Sequence, residues 1–335
     1  MKRQITQKLL ILLTIGISLC ITACSQDDDT LIIYSGRSES LVGPIIEQFS
    51  QSTGISVSVK YAKTGSLAAT LLEEGNKTPA DIFFAQDPGG LGAVGLMLSE
   101  LPSEVLSKVS DWAKSPEGKW IGLSGRARTV IYNTTVLDET DLPDDLMGFT
   151  DPKWNEQIGW PPTNGSFQTM VTGMRSLWGE DKTRSWLEGI KKNNPKQYPK
   201  NTPTVLAASK GEINVGFVNH YYLYRFLAEE GDSFAAKNYH PRGGGPGALV
   251  MVAGAGILKT SENIETARKF LEFMLSPVAQ QYFVSQTFEY PVVEGIKTQH
   301  GLTPLNNINL PNISVGDLRD LQGTQKLLRG LGIIS

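Results

Sequence analysis

Cysteine is almost missing from this 335-residue chain: only Cys20 and Cys24 occur, both within the first two dozen residues. A fold built from the remainder has no disulfide, thiolate metal centre or cysteine nucleophile to draw on, so its stability must come from a core. Histidine is scarce too, and His220, His240 and His300 show no zinc-ligand spacing. Lys63-Thr64-Gly65 matches one penicillin-binding motif, but no Ser-x-x-Lys accompanies it and no nucleophilic triad is legible, which argues against an enzyme. Positive charge is not in excess either. The chain carries a net −3, and −6 once Lys2, Arg3 and Lys8 are removed with the N-terminal segment, so nucleic-acid binding is disfavoured. Beyond that segment there is no second long apolar run, no internal repeat and no low-complexity tract.

What is present starts with a compartment signal. The three basic residues precede an apolar stretch from Leu9 to Leu19, too short to span a bilayer comfortably, and residues 1–23 read as a signal peptide. Ile21-Thr22-Ala23-Cys24 resembles a bacterial lipobox, which makes Cys24 the acylated mature N-terminus and residues 24–30 a lipid-anchored tether. The expected location is periplasmic or otherwise extracytoplasmic, with the lipid as the membrane contact. Roughly 310 residues remain, more than one ordinary core serves, so two domains are expected.

Strands and helices then alternate. Leu31 to Tyr34 is a short apolar run, and Val42, Ile45, Ile46 and Phe49 follow at helical spacing up to Thr53-Gly54. Ile55 to Val59 alternates as a strand, Ser66 to Glu74 reads as a helix, and Ala80 to Ala85 as a buried strand. This order predicts an α/β fold with a mainly parallel sheet flanked by helices, whose ligand crevice lies beyond the carboxyl ends of the strands. The loops after Tyr34 and Ala85 should therefore line a site. Trp120 to Tyr132 is extended and long enough to cross between two lobes. Helices near 167–177 and 183–191 and a strand from Ile213 to Val218 follow, then a flexible break at Gly243 to Gly247. Ala248 to Ile257 is the return strand, and Asn263 to Leu275 a helix with Ile264, Ala267, Phe270, Leu271 and Met274 on one face. The expected division is 31–126 plus 251–300 for lobe 1 and 127–250 plus 301–335 for lobe 2.

Asn219-His220-Tyr221-Tyr222 is the sharpest local feature, because it falls where a strand ends and the crevice opens. Paired phenolates suit a hard trivalent ion, whose charge offsets the cost of removing a proton of pKa about 10. Taken alone, a Tyr-Tyr pair is more often half-buried packing with its hydroxyls satisfied. Arg126 and Arg128 share one face of an extended strand and present forked donors suited to carbonate or phosphate, or to solvent. Asn164-Gly165-Ser166 before a helix offers amides and a hydroxyl to an anion, and helix caps look the same. Gly90-Leu91-Gly92-Ala93-Val94-Gly95 formally matches a dinucleotide fingerprint, but Pro88-Gly89 delays the helix and no suitable acidic residue follows.

Together these segments resemble the ferric-ion-binding proteins of bacterial iron importers, a branch of the type II periplasmic binding proteins. The likeness runs through Tyr34-Ser35-Gly36-Arg37, Lys77 to Phe83, Leu123 to Arg128, Pro152-Lys153-Trp154, Lys200-Asn201, Asn219 to Tyr222 and Pro246 to Val250. It implies two lobes joined by crossing strands that close on Fe(III), held by Tyr221 and Tyr222 with a synergistic anion such as carbonate or phosphate. Asn164, Gly165, Ser166, Asn201 and Asn219 fall where phosphate is cradled in some members, and Arg126 and Arg128 lie near the anion in members using carbonate. The implied partners are an ABC permease and its ATPase subunit, with the protein a monomer.

Departures from that pattern matter. Where some relatives have a histidine and a glutamate ligand this chain has Ser38 and Gln86, and where others add a tyrosine it has Phe167; Asp87, beside Gln86, is a substitute candidate. Two anionic protein ligands leave a trivalent ion undersatisfied, so carbonate, a chelate such as citrate, or water is expected to complete the shell. The alternative is a cleft that takes another small anionic solute, such as a phosphonate.

Overall fold

The computed structural model describes residues 30–298 and 301–335. The segment expected to be a signal peptide, Cys24, the expected tether up to residue 29 and His300 lie outside the described residues. The strands are β1 (Leu31–Ser35), β2 (Val57–Tyr61), β3 (Ile82–Ala85), β4 (Ile121–Asn133), β5 (Ile158–Trp160), β6 (Lys196–Gln197), β7 (Val215–Asn219), β8 (Ala236–Tyr239) and β9 (Val250–Ile257). Helices are α1 (Glu39–Thr53), α2 (Thr64–Glu74), α3 (Pro88–Ala93), α4 (Ser103–Leu106), α5 (Gly165–Trp178), α6 (Glu180–Lys192), α7 (Asn201–Ser209), α8 (Tyr221–Glu230), α9 (Ile264–Met274), α10 (Pro277–Gln286) and α11 (Leu321–Gly330). Among the described residues no helix is long and apolar enough to cross a membrane.

The strands form one hydrogen-bonded path, β2-β1-β3-β9-β4-β7-β5-β6, with β8 against β4. Its two ends are parallel, β1 with β2 and β3, and β5 with β6 and β7. The middle is antiparallel, because β4 runs out along the sheet and β9 returns beside it, so the sheet is mixed rather than mainly parallel. β4 pairs with β9 as far as Ala127 and with β7 from Arg128 onward. The two crossing strands approach closely: a Cβ at Gly254 would stand 2.7 Å from the Ile121 carbonyl oxygen, which only glycine avoids.

Helical spacing translates into burial. Val42, Ile45, Ile46 and Phe49 of α1 are buried, and the helix stops at Gly54 in the left-handed conformation. In α9 the buried stripe is Ala267, Phe270, Leu271 and Met274, and Phe270 meets Phe49 edge-on at 5.2 Å. Ile264 departs from the expected stripe and is 49% exposed, since it opens the helix ahead of the first buried turn. Pro88 starts α3 instead of delaying it, as its fixed φ suits a first helical position and Asp87 caps the turn by accepting from the Gly90 amide at 3.1 Å. The glycines here are packed against protein: a Cβ at Gly90 would collide with Thr64, so no pyrophosphate can lie on them. Gly243 to Gly247 is not a loose break but leads through two left-handed glycines into a short 3₁₀ turn, Gly245–Ala248.

Apolar side chains gather into separate cores. The largest draws on β1, β3, α1, α9 and the first half of β4, together with Leu318. A second is built around Phe149, Trp154, Trp160, Trp186 and Phe217 and takes in Leu327, Leu328 and Ile333 of the C-terminal segment. Phe217 stands edge-on to both Phe149 (5.6 Å) and Trp186 (5.3 Å). Phe217→Ala should therefore cost about 3–5 kcal/mol, read as a lowered urea midpoint with little change in slope.

His240 follows β8, and burial holds its imidazole down at about 4, against 6.5 for the free side chain. The unfolded chain thus takes up this proton first as pH falls. The neutral form's contribution is complete above pH 6.5 and is lost as pH falls from there toward 4, by about 1.4 kcal/mol per pH unit at most. Urea midpoints measured between pH 7.5 and 4.5 should decline, and less steeply for His240→Gln.

Candidate metal and anion site

Four loops at the carboxyl ends of parallel strands meet the switch point of β4. After β1 comes Arg37, after β3 Asp87, after β5 the Asn164-Gly165-Ser166 start of α5, and after β7 the Tyr221 start of α8. All 13 residues of β4 are buried, and that includes Arg126 and Arg128, which no isolated strand would bury without a reason.

Arg128 donates through Nη1 to Asn219 Oδ1 (2.9 Å) and lies at 3.5 Å from Ser166 Oγ. Its Nε and Nη2, and all three nitrogens of Arg126, are buried with no hydrogen-bond partner among the described residues. Burial, and then the charge of Arg126, pull the Arg128 guanidinium down to about 9. A buried carboxylate or oxyanion is what such donors lack. Ser166 is tied by its hydroxyl to Asn164 Oδ1 (2.6 Å) and receives a bond from Asn201 Nδ2 (3.3 Å). Asn201 Oδ1 and Asn219 Nδ2 are also buried without hydrogen-bond partners among the described residues, and of the sequence-predicted anion residues Asn164, Ser166, Asn201 and Asn219 are joined by hydrogen bonds into a cluster around Arg128, whereas Arg126 and Gly165 are not. Gly165 lies beside it, where a Cβ would be 3.6 Å from Asp87 Oδ2 across from the loop after β3.

Tyr221 and Tyr222 leave the strand-to-helix turn on the same side, with rings stacked at 4.2 Å and 28°. On a continuous strand they would have pointed apart. Burial, and then the neighbouring Tyr221, raise the Tyr222 phenol above its ordinary value, while Asn201 and Arg126 work in the other direction. Deprotonating it therefore needs a strong cationic charge close by. Asp87 is buried, and that raises its carboxyl, against the pull of Arg126 and the Gly90 and Gly89 amides. Gln86 is partly buried with its backbone amide donating to Thr64 Oγ1 (3.0 Å), and Ser38 is exposed, its hydroxyl 3.5 Å from Ser40 Oγ. Phe167 packs edge-on against Trp160 at 5.8 Å as part of the second core. Among the described residues no group of three or more His, Cys, Asp or Glu is placed to hold a metal.

Two participants carried no assigned role in the sequence. Glu289 is fully buried and its two oxygens both accept from Arg37 Nη2 at 2.8 Å; Thr287 Oγ1 donates to it at 3.0 Å, and Arg126 Nε stands 3.9 Å away. Burial opposes the charge of Arg37, but Glu289 and the two tyrosines prevail and raise its guanidinium. The partners are 252 residues apart, so no local spacing reveals them. His220 is the second: burial pushes its imidazole down to about 3, so it is neutral.

Comparison with known proteins fits this architecture. A family model described as bacterial extracellular solute-binding protein matches residues 95–309. The chain is 31% identical to the major ferric iron-binding protein of Neisseria meningitidis serogroup B over 322 residues, covering 93% of this chain and 96% of that protein. It superposes on the crystal structure of iron-bound HitA from Pseudomonas aeruginosa with a TM-score of 0.86 and 32% identity, covering 90% of this chain and 99% of that one. Trichodesmium IdiA (FutA), in complex with iron and citrate ligands, gives a TM-score of 0.80 at 26% identity, with coverage of 90% and 99%. The fold is thus that of the type II periplasmic binding proteins, and these relatives are solute-binding transport proteins rather than enzymes. This chain belongs to the bacterial extracellular solute-binding protein family.

Proposed function

We propose that this chain captures ferric iron outside the cytoplasm and delivers it to an ABC permease driven by its ATPase subunit. The observation that carries the proposal is the stacked Tyr221–Tyr222 pair set beside the buried guanidiniums of Arg126 and Arg128, five of whose six nitrogens have no hydrogen-bond partner among the described residues. Phenolate oxygens are hard, compact anions, and a trivalent cation offsets both their deprotonation and their burial. The arginines then call for a further anion on the same ion, because Glu289 and Asp87 do not together match the charge of Arg37, Arg126 and Arg128. Carbonate, a phosphate-like anion or a chelating carboxylate such as citrate each satisfy that requirement, and relatives named for ferric iron, one of them holding citrate, support the reading.

Closure works through two lobes, 31–126 plus 251–300 and 127–250 plus 301–335, hinged on β4 and β9, with Leu318 of the tail returning to the first lobe's core. Arg37 and Asp87 belong to one lobe and the tyrosines to the other, so ligand contacts from both sides stabilise the closed form. A lipid on Cys24 would keep this monomer near the permease. No covalent step is required.

The test is the visible spectrum of the metal-stripped domain from Ser25 onward, titrated with ferric citrate with and without bicarbonate. A tyrosinate-to-iron charge-transfer band is expected at one equivalent, and it should vanish in Tyr221→Phe and Tyr222→Phe. Arg126→Met with Arg128→Met should weaken iron retention at least tenfold and remove dependence on the added anion. Absence of any band in the parent protein would overturn the iron reading in favour of an anionic organic solute, such as a phosphonate, bound at the arginines.

A further inference from the structure

At the point where β4 changes partner, a side chain takes the place of a neighbouring strand. Ala127 is the last residue of β4 opposite β9, and Arg128 the first opposite β7. The Ala127 amide donates to His220 Nδ1 at 3.0 Å, while the Ala127 carbonyl accepts from the His220 backbone amide at 3.0 Å. Because Nδ1 accepts, the imidazole proton is assigned to Nε2, which donates to the Phe288 carbonyl at 2.8 Å. Phe288 holds φ at 57°, a left-handed conformation uncommon for an aromatic residue, in presenting that carbonyl. The ring lies 4.7 Å from that of Tyr290, whose amide and carbonyl bind Gly125 of β4 at 2.8 and 2.7 Å. Finally, Asn238 Nδ2 donates to the His220 carbonyl at 2.8 Å.

Every polar atom of this buried residue is engaged, and the next residue in the chain is Tyr221. Neither ring nitrogen is free to bind a metal. We propose that His220 is a positioning residue for the tyrosine pair: its imidazole fastens the start of α8 to the hinge at Ala127 and to the Phe288 carbonyl, so the direction of both phenols is set at the crossing strands. The consequence for Tyr221 and Tyr222 as iron ligands rests on the ferric reading above; the fastening itself does not.

Three variants separate positioning from simple core packing. His220→Leu removes both ring bonds, His220→Asn keeps an acceptor near the Nδ1 position, and His220→Gln keeps a donor reaching toward Phe288. In iron-free protein, amide exchange at Ala127 should quicken at least tenfold in His220→Leu and stay slow in His220→Asn. In ferric-loaded protein, release to a competing chelator should quicken at least tenfold in His220→Leu with a displaced charge-transfer band. His220→Asn or His220→Gln should recover part of the release rate and band position even where its melting temperature is no higher than that of the leucine variant. A band and release rate that stay at parental values, or that follow melting temperature alone across the series, would overturn the proposal. If the parent protein gives no band at all, the ferric reading fails separately. The fastening is then judged on Ala127 exchange and near-ultraviolet tyrosine dichroism, and parental values of both in His220→Leu would overturn it. Should His220→Leu not fold, the same comparisons between parent, asparagine and glutamine variants decide the matter.

Discussion

Two guanidinium groups, Arg126 and Arg128, are held out of water one residue apart on the same face of β4, and most of the site follows from that constraint. Burial, and then the like charge of Arg126, draw Arg128 down to about 9. Removing the partner from a buried charge typically costs about 3–5 kcal/mol, so a fold that buries such charges must supply counter-charge or receive it from a ligand. Arg37 has its counter-charge in Glu289. Arg126 is only within 3.9 Å of the same carboxylate, and Arg128 has amide and hydroxyl contacts alone. The surplus is positive, and the charge of Arg126 works toward ionising Tyr222.

That surplus couples cation and anion. A phenol raised by burial gives up its proton only to a large positive charge nearby, and Tyr222 is raised in this way. A divalent ion supplies less of that charge than a trivalent one and leaves the phenol closer to neutral. On the proposed ferric reading, the buried arginines favour an anion and the Tyr222 phenol favours a trivalent cation beside it, so each ligand would favour the binding of the other.

The sheet explains how such a site can open. β4 belongs to β9 up to Ala127 and to β7 after it, so the place where hydrogen-bonding partners change lies between the two arginines. On the proposed hinge, a bend there would carry Arg126 with the β9-paired half of β4 and Arg128 with the β7-paired half. His220 fills the bonding gap at that point, and the residues that carry the chemistry, Arg128, Asn219 and Tyr221, are its immediate surroundings in sequence or register.

Much of this was legible in the chain. Alternating strand and helix patterns located β1, α1, β3, β4, β7 and β9, and the rule that crevices open beyond strand ends led to the loops holding Arg37 and Asp87. The Tyr-Tyr pair was visible as a motif, but its orientation depended on a strand-to-helix turn that periodicity alone does not define. The crossing strand and the return strand were legible as β4 and β9, but not the register by which β9 lies between β3 and β4, because an apolar run does not name its neighbours. Glu289 could not be found, since its meaning lies wholly in Arg37, 252 residues away. His220 carries no signal when tested against zinc-ligand spacing, and its two ring hydrogen bonds run to main-chain atoms, which leave no mark in a sequence.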